Sequence, residues 1–233
     1  MKKIILSLVA LIASTLMVNA QSHSLGEIME LDGKRGIVVK VDESGQHGLV
    51  MSLGIIYGDW FDFGTFKKTP DPIGVEDPND GEVNTKFVYK YMDEHPDIAK
   101  EFEIFAAQRE YYQGEWYIPS SNELLDIASA LGGGAIATNL KTIEAFDDKI
   151  TEAGGVSLFT KMGNFRQMYS STEGTSKGAY CLYLKRKMLS KKCTFETYEG
   201  IKDAGDRDEP ETLGPGKKSK KEKMFGTRAV HKF

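Results

Sequence analysis

GIVVKVDESGQHGLVMSL, residues 36–53, decides how this chain is read. Asp42, Ser44 and His47 crowd into six residues between two apolar runs, as an acid, nucleophile and base or as the turn of a hairpin. A Ser-His-Asp triad needs its histidine held between the other two, a geometry that comes from distant parts of a chain. Asp42, Glu43, Ser44, Gly45 and Gln46 are residues that turns favour, because short polar side chains bond nearby backbone and glycine accepts positive φ. On either side, Gly36 to Val41 is β-branched and mostly apolar, while Leu49, Met51 and Leu53 alternate with Val50 and Ser52. The stretch reads as two strands around a polar turn. His47 then flanks the turn, with a structural hydrogen bond.

Working outward to the N-terminus, MKKIILSLVALIASTLMVNA joins two lysines to an apolar run, with small residues before Gln21. Residues 1–20 read as a secretory signal peptide, 21–35 as a lead segment, and 36–233 as one domain. No later stretch reaches the ~20 apolar residues of a bilayer-spanning helix, and no cysteine follows the expected cut to carry a lipid. The exported part would reside in the periplasm, on the cell surface or outside the cell. Its 28 Lys and Arg against 34 Asp and Glu give a charge of −6. That balance argues against general nucleic-acid binding, which needs basic patches against phosphate.

Towards the C-terminus, Pro70, Pro72 and Pro78 among acidic residues make roughly Gly64 to Glu82 an exposed loop. Phe87, Val88, Tyr91 and Met92 repeat at helical spacing. Pro96 suits a first helical turn, and Ile98, Phe102 and Phe105 extend the stripe to about Tyr111. Ser120 and Glu123 form a capping-box pattern before Leu124, Leu125, Ala128 and Leu131, with Gly132 as the stop. Leu140, Ile143, Phe146 and Ile150 mark a further helix ending at Gly154. Strands return at AYCLYL, CTFETY and the terminal TRAVHKF. A charged insertion over about 200–224 has an acidic half and a basic half, and reads as a solvated loop.

Few residues carry a chemical signature. Trp116 and Tyr117 could stack on a sugar, but an aromatic pair before a capped helix fits a wedge between helix and sheet. Ser170, Ser171 and Thr172 lack a nearby base, and backbone bonding accounts for them. The four histidines are scattered singly, without metal-ligand spacing. Glu76 to Glu82 fails the EF-hand pattern because Pro78 falls at its third position. A nonstandard calcium site there, or near Asp206 and Asp208, stays open. Cys181 and Cys193, twelve residues apart across KRKMLSKK, could close a disulfide in an oxidising compartment.

Three segments together, GIVVKVDESGQHGLVMSL, GEWYIPSSNELLDI and MYSSTE with TRAVHKF, resemble an exported bacterial group. It comprises domains of unknown function related to the C-terminal domain of collagen-like adhesins and to the major paralogous domains of fibre-degrading bacteria. The resemblance implies a C-type-lectin-like α+β fold, with N- and C-terminal strands paired, helices packed on the sheet and one face of long loops. Met168 departs from the tryptophan usual in that group, and the lectin calcium motifs are missing. The expectation is a noncatalytic module binding a glycan or an extracellular protein, with Trp60, Asp62, Tyr169 and Glu173 as candidate ligand-binding residues. An exported enzyme using Glu173 or His47 for proton transfer, and a structural subunit of a surface assembly, are the alternatives.

Overall fold

The computed structural model describes residues 22–62, 71–161, 163–175, 177–187, 190–202, 208–210, 221–223 and 225–233. The expected signal peptide lies outside these residues, as does most of the charged insertion. The structure is α+β. Strands β1 (Ile28–Leu31), β2 (Lys34–Val41) and β3 (Gly48–Ser52) open it, followed by the short β4 (Ile56–Tyr57). Helices α1 (Gly81–Glu94), α2 (Glu103–Tyr111), α3 (Ser121–Leu131) and α4 (Leu140–Glu152) fill the middle, with β5 (Ala137–Asn139) just before α4. Strands β6 (Gln167–Glu173), β7 (Gly178–Arg186), β8 (Lys192–Ile201), β9 (Asp208–Pro210), β10 (Lys221–Lys223), β11 (Phe225–Thr227) and β12 (Val230–Lys232) complete the order.

The opening hairpin forms as its residues dictate. Asp42 Oδ1 accepts from the Ser44 hydroxyl at 2.7 Å and from the Gln46 N–H at 3.2 Å, while the Asp42 N–H donates to the His47 carbonyl at 2.8 Å. Gly45 sits at φ +73°, a conformation glycine adopts without a Cβ penalty. The lead segment also enters the sheet. Asp32 and Gly33, at φ 49° and 69°, make the two-residue turn that folds β1 back on β2.

The run Ile37-Val38-Val39 is apolar on both faces because both faces of this part of β2 are buried. Ile37 and Val39 join Leu49 and Met51 in a core with Leu124, Ile127 and Leu131 of α3 and Ile143 and Ile150 of α4. Val38 and Val50 point the other way, into a core with Val88 and Met92 of α1, Ile104 and Phe105 of α2, and Trp60 and Trp116. The period-two alternation of strand side chains therefore places two helices on each side of the strands.

Helix ends follow local chemistry. Asp80 caps α1 by accepting from the Val83 N–H at 3.0 Å, and the Ser120–Glu123 capping box closes reciprocally at the start of α3. The stripe expected to run on to Tyr111 is broken. Helix α1 ends before His95-Pro96, and a 3-10 turn at Ala99–Glu101 leads into α2, because the residue before proline is pushed out of the helical region.

TRAVHKF is two strands, not one. β11 pairs with β4 and with β6 in a six-stranded sheet of order β4-β11-β6-β7-β8-β5, whereas β12 pairs with β3 in the sheet β1-β2-β3-β12. The expected pairing of early and final strands is thus present, with Arg228 and Ala229 as the corner between sheets. In the insertion, β9 and β10 pair antiparallel, Glu222 opposite Glu209.

Arg228 is 1% exposed. Its guanidinium donates to the carbonyls of Ser52 at 3.1 Å, Leu53 at 2.7 Å and Gly54 at 3.3 Å, and also to that of Val156. Burial lowers its pKa to about 10, which still leaves it charged at neutral pH.

The disulfide is a correction. β7 and β8 do pair, but Cys181 stands opposite Tyr198 and Cys193 opposite Arg186, and both thiols are free and buried. Five residues of strand separate the two rows, about 17 Å at ~3.4 Å per residue, beyond the ~7 Å Cα limit of a disulfide.

Replacing Arg228 with Met should lower stability by about 3 kcal/mol or more, because each buried carbonyl left without a donor costs about 1–3 kcal/mol. Urea unfolding measures it, and a midpoint equal to that of the parent would remove Arg228 as the corner's anchor. Thiol titration should find both cysteines unreactive in the folded protein and reactive in denaturant, with no reductant needed.

Candidate functional site

The four expected ligand-binding residues do not form a surface. Trp60 is 1% exposed, Tyr169 0% and Glu173 3%; Asp62 is half-buried. The segment YGDWFDFG was expected to expose its aromatics where the chain leaves the sheet. Instead the N–H groups of Trp60 and Phe61 donate to the Lys202 carbonyl at 3.0 and 3.3 Å, and the Asp62 N–H donates to Glu101 at 2.8 Å. That anchoring turns the Trp60 ring inward, where it meets Phe102 and Phe105 edge-on and donates its indole N–H to Ser170 at 3.0 Å. Tyr169 lies against Phe225, ring centroids 5.7 Å apart.

Glu173 is spent on structure. Its carboxylate accepts from the backbone N–H groups of Ile73 at 3.1 Å, Gly74 at 2.8 Å and Val75 at 3.3 Å, and from the buried ammonium of Lys202. Lys202 sits 4.8 Å over the Trp60 ring. Burial depresses its pKa, and the hydrogen bond and charge of Glu173 oppose that shift. Trp60 and Glu173 are therefore brought together, but as an internal knot through Lys202, a residue with no periodicity or motif to announce it.

The knot fixes the proline-rich loop. The hydroxyl of Thr172 donates to the Asp77 carbonyl at 3.0 Å, and the Asn84 amide donates to the same carbonyl at 2.7 Å. Ser170 and Ser171 likewise bond backbone carbonyls, of Thr172 and Pro119, at 3.2 Å each. These hydroxyls hold loops in place, as read from the sequence.

Beyond that loop lies a groove of about 520 Å³. The end of β2 supplies Lys40, the β2–β3 turn Asp42 and His47, α3 supplies Asn122 and Asp126, the loop supplies Asn79, and β12 supplies Lys232. Lys40 pairs with Asp126 at 2.8 Å, and the Asn122 amide donates to Asn79 at 2.7 Å. Lys232 lies 3.2 Å from Glu82 and 3.6 Å from Asp80. Burial alone would lower the Lys232 pKa, but Glu82, Asp80 and Glu123 outweigh it and hold the value above the ordinary one. The Ser44 hydroxyl in turn lowers the pKa of Asp42.

At the groove base, Glu123 accepts from the Tyr117 hydroxyl at 2.7 Å, the Ser120 N–H at 2.8 Å and the Gly81 N–H at 3.1 Å. Both of its oxygens are engaged, so it holds elements together. Burial, with Glu123 beside it, raises the Tyr117 pKa. Trp116, packed in the core, and Tyr117 take the structural role expected of them. Among the described residues no group of three or more His, Cys, Asp or Glu could hold a metal ion. Asp206 lies outside the described residues.

Sequence reading missed the groove because Asn79, Asn122, Asp126 and Lys232 are unremarkable singly. The usable signal was that DESGQH, SSNEL and TRAVHKF, far apart in the chain, all border it.

No family model matches the chain, and no curated protein matches it. Among solved structures, a fimbrial protein from Bacteroides ovatus is similar over 90% of this chain and 48% of its own, at 17% identity and a TM-score of 0.46. The chain spans about half the length of that protein. Among the described residues no helix is long and apolar enough to cross a membrane.

Lys202→Met and Glu173→Gln should each destabilise the protein by about 3–5 kcal/mol, the cost of stranding one member of a buried ion pair. The double variant should lose less than the two losses added, since neither charge then remains unpaired. A double-mutant cycle in denaturant tests this, and strict additivity would break the knot as described.

Proposed function

We propose that this protein is a noncatalytic binding module that engages a glycan or protein ligand at the polar groove. The observation that carries this reading is the convergence of three distant segments on one concavity, lined with amide and charged side chains and held by buried anchors. Its volume lies within the ~300–1,000 Å³ typical of small-molecule sites. Lysine, aspartate and asparagine side by side suit a ligand rich in hydroxyl or amide groups. A C-type-lectin-like fold agrees with the pairing of β12 to β3 and with helices packed on the sheets. An exported, surface-facing location accords with the N-terminal sequence.

An enzyme reading finds less support. Glu173 is committed to Lys202 and three backbone N–H groups, and Glu123 to three donors, whereas His47 is exposed on the rim. General acid-base chemistry needs two groups poised around one reacting atom. A second reading, a structural subunit of a surface assembly, rests on β1, which among the described residues stands at the edge of its sheet, where another strand could pair with it.

The purified protein should be screened against glycans and extracellular-matrix proteins, with and without calcium. Asn122→Ala and Asp126→Ala should each weaken a detected interaction about tenfold, or about 1.4 kcal/mol, with the melting temperature unchanged. No binding under either condition, or binding indifferent to both substitutions, would refute the groove. Self-association that disappears when a proline is placed in β1 would favour the assembly reading.

A further inference from the structure

A second concavity, of about 680 Å³, lies at the far end of the six-stranded sheet, between β5 and the β7–β8 turn. Lys185, Arg186, Lys187 and Lys192 line it against one carboxylate, Glu196, a local charge of +3 on a chain whose net charge is −4. All four cations are exposed. Glu196 already accepts from the Tyr183 hydroxyl at 2.6 Å and from Lys185 at 3.2 Å. Those bonds, Tyr183 first, lower its pKa and keep it ionised. The Arg186 guanidinium turns to the other face of β7, where it donates to the Gly163 carbonyl and lies 5.7 Å from the Phe159 ring.

Among the described residues no carboxylate pairs with Lys187 or Lys192, and the two face each other: the Lys187 N–H donates to the Lys192 carbonyl at 3.1 Å. Like charges directly across a ladder destabilise it. A bound anion would relieve that repulsion. Thr138, Asn139 and Thr194 add hydroxyl and amide groups to the same lining.

We propose that this recess binds a linear anionic polysaccharide. Sulfate or carboxylate groups would sit against Lys187 and Lys192, and ring hydroxyls against Asn139 and Thr194. A recess suits a single flexible strand, whereas a flat lipid surface cannot enter it. Duplex DNA relies on broad basic surfaces against its phosphates, which a chain of net charge −4 disfavours.

The test uses the full chain on immobilised heparin, with a fluorescence titration of a heparin oligosaccharide. The protein should be retained and eluted by salt. Lys187→Gln with Lys192→Gln should lower affinity at least tenfold and flatten the salt dependence, while Lys90→Glu on α1 changes neither. The glutamine pair removes both charges but keeps polar side chains, and an unchanged melting temperature confirms that it folds. Three results would overturn the proposal: no retention at low salt, retention indifferent to the glutamine pair, or duplex DNA bound as tightly as heparin.

Discussion

The fold turns on one buried cation. Where the chain passes from β11 in one sheet to β12 in the other, the Arg228 side chain takes up carbonyls from residues 52–54 and from Val156. A guanidinium has five donors in a planar fork, so one side chain can satisfy groups from two segments at once. Lysine could not span them. The corner leaves the end of β3, the chain after α4 and the start of β12 with a single arrangement.

Much of this was legible. The alternation around DESGQH, the capping box at Ser120 and the helical stripe from Leu140 reflect local rules, and each element formed where its residues placed it. What escaped reading was tertiary. The apolar run Ile37-Val38-Val39 shows that both faces of a strand are buried but not which helices cover them. TRAVHKF has the composition of one strand, and only the demand of two sheets splits it at Arg228. Trp60, Tyr169 and Glu173 were read as a ligand face because aromatics beside carboxylates bind ligands on surfaces. Burial reverses that meaning, since the carboxylate meets Lys202 and the indole becomes a wall for the ion pair.

The two polar regions divide the work. The Glu173–Lys202 knot is sealed and holds the backbone of residues 73–75, from which the chain runs to Asn79 at the groove. At the groove Lys40, Asn79, Asn122 and Asp126 are exposed or half-buried and joined by weaker surface pairs. Rigid support beneath an adaptable rim lets side chains meet a ligand without large loss of order. The same logic separates substitutions that unfold the protein from those that alter only recognition.

Pairing β12 with β3 also governs the order in which the molecule can be assembled. Leu53 and Arg228 are 175 residues apart, yet the bond between them closes the corner. Contacts of such separation are slow to form, and until the last strand arrives β3 has an open edge beside Leu49 and Met51. A chain still emerging during synthesis would hold that sticky edge exposed for most of its length. The folding problem is therefore one of waiting: the first hairpin is made early and must be kept from the wrong partner until its proper neighbour exists.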